Sequence, residues 1–113
     1  MQADQLKQQI DRIEECADEA KSAVQAGSVP TELKQSVEQL HQQARQAKQQ
    51  CDSAGQQMGQ DTIRSAVMQM EQTGDRAVQA CRKAGGSVDQ RTQQAVQRAH
   101  DEISSLKKQI QMG

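Results

Sequence analysis

Apolar residues recur along this chain in alternating steps of four and three. The first run is Leu6, Ile10, Ile13, Ala17, Ala20 and Val24, and the second is Leu33, Val37, Leu40, Ala44, Ala47 and Cys51. The third is Ile63, Val67, Met70, Gly74, Ala77 and Cys81, and the fourth Thr92, Val96, Ala99, Ile103, Leu106 and Ile110. A spacing of 3.5 residues holds one stripe of a helix against its neighbour, whereas a half-buried strand would alternate every second residue. Breaks fall at Gly27 to Pro30, at residues 53–60 with Gly55 and Gly59, and at Gly85 and Gly86. Glycine suits the left-handed residue after a helix, and proline is tolerated at a helix start. The pattern therefore predicts four helices, over about residues 4–26, 29–52, 61–83 and 88–111. Asp4 and Asp61 are the expected N-caps of the first and third, and Ser87 with Gln90 forms the expected capping box of the fourth.

The stripes also predict how the helices pair. With the first two antiparallel, seam residues match as 6 with 51, 13 with 44, 17 with 40 and 24 with 33, so that the residue numbers always add to 57; in the second pair they add to 173. An internal repeat underlies this. A shift of 57 places Asp4, Glu14, Asp18 and Ala20 on Asp61, Glu71, Asp75 and Ala77, and a shift of 59 places Val37, His41 and Lys48 on Val96, His100 and Lys107. The expected fold is all-α: an antiparallel four-helix bundle, one domain over residues 1–113, built from two duplicated hairpins (1–54 and 58–113) with coiled-coil-like packing.

The two flanks of the seam differ. Gln9, Cys16, Ala23, Ser36, Gln43, Gln50, Ala66, Thr73, Ala80, Ala95 and Gln109 make one flank small or uncharged, with Glu102 the exception, and Lys7, Glu14, Lys21, Lys34, Lys48, Arg64, Glu71 and Lys107 make the other charged. The first is expected to be buried along with the seam and the second to be wet. His41 and His100 stand on the charged flank, as do Glu14 and Glu71. The antiparallel register sets Glu14 opposite His41 and Glu71 opposite His100, as two interhelical pairs at the rim. The candidate metal ligands are His41, His100 and Cys16, with Cys51 and Cys81 further thiols on the seam. His41 has a glutamate three residues earlier, Glu38, but His100 has Gln97 there, whereas carboxylate-metal bundles use that motif on each of two helices; Cys16 lies on the flank away from His41, so no metal or cofactor is expected. Met68, Val78 and Met112 lie off the seam and are the candidate patch for a partner protein.

Composition narrows the class further. Leu, Ile and Val number 16, and with no aromatic residue the chain cannot fill the wide inner faces of a sandwich, barrel or doubly wound sheet. The 24 glutamines mostly take outward helix positions, as Gln39, Gln42 and Gln46 do, where they are good helix formers and not a low-complexity tract. A formal charge of −1 gives no field for phosphate, and the absence of aromatics removes any base-stacking platform, so nucleic acid is not an expected partner. No apolar run is long enough for a membrane span and no signal-peptide pattern is present, which points to the cytoplasm. Three cysteines at no metal-like spacing are expected to be reduced. No nucleophile–base spacing or phosphate loop occurs. The expected function is a non-enzymatic interaction or structural module, bound to a protein partner or to itself; the alternative is a metal- or redox-responsive bundle using the cysteines or histidines.

Overall fold

The computed structural model describes residues 3–27, 29–54 and 60–112, with side chains for 5–27, 29–50, 62–86 and 88–110. It contains α1 (Ala3–Ala26), α2 (Thr31–Ala54), α3 (Gln60–Ala84) and α4 (Gln90–Met112), with a 3-10 turn at Gly85–Ser87. Among the described residues there is no strand. Each helix packs on two others: α1 on α2 and α4, α3 on α2 and α4. The diagonals are thus α1/α3 and α2/α4, and the four helices form a compact up-down-up-down bundle.

Every described seam residue is buried except Ile110, which is half-buried. Gln42, Gln46 and Gln93, on outward positions, are exposed. The uncharged flank is buried beside the seam at Cys16, Ala23, Ser36, Thr73, Ala80 and Ala95. It lies between the hairpins: Gln9 donates to Gln109 at 3.1 Å across the α1–α4 groove, and Gln43, Gln46 and Gln50 face Thr62, Ser65 and Gln69 across the α2–α3 groove. The charged flank therefore lies inside each hairpin, along the α1–α2 and α3–α4 grooves. Burial of apolar area at roughly 25 cal/mol per Å² drives the association, and short side chains between the hairpins let helices approach closely while contributing little area each.

The core divides into two clusters. One contains Ile10, Ile13, Leu40, Val67, Met70, Ile103 and Leu106, toward the start of α1 and the end of α4. The other, at the end where each hairpin turns, contains Val24, Leu33, Val37, Ala77, Cys81 and Val96, which are mostly smaller.

The helix starts differ in part from expectation. Pro30 does not enter the first turn of α2; its carbonyl accepts the Lys34 N–H at 3.1 Å, so it stands immediately before the helix. The N-cap of α4 is Asp89 and not Ser87. Its carboxylate accepts the Thr92 N–H at 3.1 Å, and its carbonyl accepts Gln93 N–H at 3.1 Å. The reason is the 3-10 turn, in which Gly85 takes φ +58°, a left-handed conformation that suits glycine; the turn uses up Ser87 and delays α4 to Gln90. The contact with Thr92, whose backbone N–H it accepts, holds the Asp89 carboxyl below its ordinary range. Asp4 and Asp61 are not N-caps, because α1 and α3 begin one residue before them, at Ala3 and Gln60; their side chains, with those of Cys51 and Ser87, lie outside the described residues.

Candidate functional site

The charged flank carries the same arrangement of polar groups in both hairpins. In the first, His41 Nε2 lies 3.2 Å from Asp18 Oδ1, and Lys48 Nζ donates to Glu14 Oε2 at 3.2 Å. In the second, His100 Nε2 lies 2.5 Å from Asp75 Oδ1, and Lys107 Nζ donates to Glu71 Oε1 at 2.8 Å. Each pair ties the two helices of one hairpin. Glu14, His41, Glu71 and His100 all make interhelical pairs, but not with each other: the partners are Lys48, Asp18, Lys107 and Asp75.

This choice of partners has a geometric cause. Side chains on an α-helix lean toward its own N-terminus, so on antiparallel helices the tips lean past one another. Tips that meet must start from residues whose numbers add to more than the seam value. Asp18 with His41 gives 59 and Glu14 with Lys48 gives 62, two and five above the seam's 57. Asp75 with His100 gives 175 and Glu71 with Lys107 gives 178, again two and five above 173. A Glu14–His41 pair would have needed a lean of the opposite sense. The residues missed by pairing on sequence, Asp18, Asp75, Lys48 and Lys107, were visible in the internal repeat, which aligns each with its counterpart.

The environments of the two histidines differ. The His41 side chain is 9% exposed, and that of His100 is 23% exposed with Asp101 Oδ1 4.0 Å from its Nδ1. Cys16 is not near His41. It is buried where α1 faces α4, with the charges of Arg98 and Glu102 around it; burial pushes its thiol above the ordinary value more than Arg98 lowers it. Burial likewise raises the Cys81 thiol, and both cysteines are free. Among the described residues no three His, Cys, Asp or Glu side chains come together as a metal site.

The three residues of the candidate partner patch are not adjacent. Met68 is 53% exposed, the one large apolar side chain so exposed among the described residues. It lines a groove of about 230 Å³ between α3 and α4 with Arg64, Val67, Lys107 and Ile110. Val78 is half-buried against the turn-end core and lines a different groove, with Cys81, Val96 and Gly85. Met112's side chain lies outside the described residues. The sequence reading set Arg64 on the charged flank and Ile110 in the seam without joining them to Met68, because the groove spans two helices; the available signal was Met68 itself, which stands three residues before Glu71 where Asp11 stands three before Glu14.

No family model, no curated protein and no solved structure matches the chain.

Proposed function

We propose that the chain is a non-enzymatic interaction or structural module of the cytoplasm, assembled from two copies of one ancestral hairpin. The observation that carries this reading is the use made of its reactive groups. Both histidines are engaged by carboxylates of the facing helix, at 3.2 and 2.5 Å, and the two described thiols are buried with raised pKa values. A thiol kept protonated is a poor nucleophile and a poor metal ligand. These groups brace helices. What is left for recognition is the outer surface, where Met68 marks the most apolar exposed point.

Cross-linking followed by affinity purification from the source cell, with the purified full chain as bait, tests the proposal. Recovery of one partner in fixed stoichiometry, or of a cross-linked homo-oligomer whose mass is set by protein concentration, is the expected result. A second assay gives the opposing outcome a chance: a stoichiometric, several-degree rise in Tm with Zn²⁺ or Cu⁺ would assign the thiols or imidazoles a ligand role, because a ligand that binds only the folded form stabilises it.

A further inference from the structure

The groove beneath Met68 is the place where the two hairpins diverge in chemistry. In the first hairpin Asp11 stands at the corresponding point, 3.9 Å from Lys48, which also bonds Glu14 at 3.2 Å; one ammonium faces two carboxylates there. In the second hairpin Met68 replaces the acid, and Lys107 faces Glu71 alone, at 2.8 Å. The substitution removes one negative charge and lays an apolar side chain beside Val67 and Ile110. Arg64 sits one turn before Met68 on α3, is exposed, and has no acidic partner among the described residues.

We propose that this groove binds a small aliphatic carboxylate. The alkyl chain lies on Val67, Met68 and Ile110, with the four-carbon stem of Lys107 as a side wall. The Lys107 ammonium is already balanced by Glu71, so the anion-binding charge is Arg64, whose planar guanidinium matches a carboxylate with two parallel N–H donors. Charge and volume both select this occupant. A cationic amphiphile would meet Arg64, and the groove's volume of about 230 Å³ falls below the range of about 300–1,000 Å³ in which drug-sized ligands bind. Methionine is suited to such a floor because its unbranched thioether adapts to irregular apolar surfaces. The site is independent of the module's macromolecular partner and stands or falls on its own measurement.

The experiment is a two-dimensional amide NMR titration of the full chain with hexanoate and octanoate, held below micelle-forming concentration, beside octyltrimethylammonium. Saturable shifts are expected at Arg64–Met68 and Lys107–Ile110, with none at Lys7, Asp11 and Lys48. Each added methylene should tighten binding about fourfold where it is fully buried. Arg64→Gln should weaken octanoate binding roughly two- to fivefold, and Met68→Asp, which restores the acid of the first hairpin, should abolish it. Both substitutions are at exposed positions, and an unchanged circular dichroism melt verifies that each variant is folded. The proposal is overturned if octanoate gives no saturable shift, if octyltrimethylammonium binds as tightly, or if the first hairpin responds equally. It is also overturned if phosphatidylglycerol vesicles or an acidic helical peptide bind through Arg64 while octanoate does not, since the occupant would then be a membrane or a protein.

Discussion

The two hairpins share one set of rim pairs and fill their seams in opposite ways. By the seam register the first sets large against small along most of its length: Ile13 against Ala44, Leu40 against Ala17, Val37 against Ala20, and all six are buried. The second gathers its bulk at one end, with Met70 facing Ile103 and Val67 facing Leu106, and leaves Gly74 with Ala99 and Cys81 with Thr92 toward its turn. The bundle fills because the first hairpin brings Leu33, Val37 and Leu40 to the levels where the second is thin. What the difference teaches is that rim and seam answer to different constraints. A pair at the rim depends on one position in each of two helices, and recurs wherever those positions are kept. Seam volume is shared among four helices, so either hairpin can lose a methyl group that the other supplies.

The comparison is most easily broken at Leu40, a fully buried side chain whose seam partner is only Ala17. Leu40→Ala should cost about 2–5 kcal/mol, read from urea unfolding, because the short residues opposite cannot close the cavity. A loss under 1 kcal/mol would show that the second hairpin fills its own centre. Gly74 offers the converse test. A Cβ added there would meet His100 Cδ2 at 3.5 Å and Ile103 Cδ1 at 3.7 Å, ordinary contact distances. Gly74→Ala should therefore raise stability by about 1 kcal/mol through helix propensity, and Ala17→Gly in the first hairpin should lower it by a similar amount. If Gly74→Ala destabilises, the close approach of α4 to α3 is a requirement and not a vacancy.

The rim pairs sharpen the comparison at smaller scale. Double-mutant cycles on Glu14 with Lys48 and on Glu71 with Lys107 should each give roughly 0.2–1 kcal/mol, because the groups are partly exposed and screened by salt. The first cycle should keep a residue of Lys48 coupling to Asp11, which the second lacks. The smallest expected effect is acid sensitivity at the turns. Asp89 caps α4 with a carboxyl held below its ordinary value of 3.8, whereas Pro30 precedes α2 and offers no carboxylate. A depressed folded pKa contributes stability that is fully present above the unfolded value and lost as pH falls through the folded one. Asp89→Ala should flatten the stability profile in that acid range and slightly lower Tm at neutral pH. A profile unchanged by the substitution would place the acid response elsewhere.

The seam was legible because a 3.5 period depends only on which residues are apolar, and the sector buried between the hairpins was legible because Cys16, Ala23, Ser36, Thr73, Ala80 and Ala95 carry no charge. The rim partners of His41 and His100 were not, because spacing fixes where a side chain starts and not where its tip arrives. The lean toward each helix's N-terminus moves that tip by about a residue. The cap at Asp89 was missed for a related reason: Ser87, Asp89 and their neighbours satisfy more than one capping pattern, and the turn at Gly85 decides between them. The groove under Met68 needed Ile110 and Lys107 from another helix, so no single segment could announce it.

The two core clusters share no residue. One holds Ile10, Ile13, Leu40, Met70, Ile103 and Leu106, and the other is made largely of valines, alanines and a cysteine. Such a division lets one end of a protein open while the other stays closed, since local opening follows the apolar contacts it must break. Backbone amides near Val37, Ala77 and Val96 would then trade their hydrogens for deuterium sooner than those near Ile13 and Leu106. The bundle would breathe from the end where its hairpins turn.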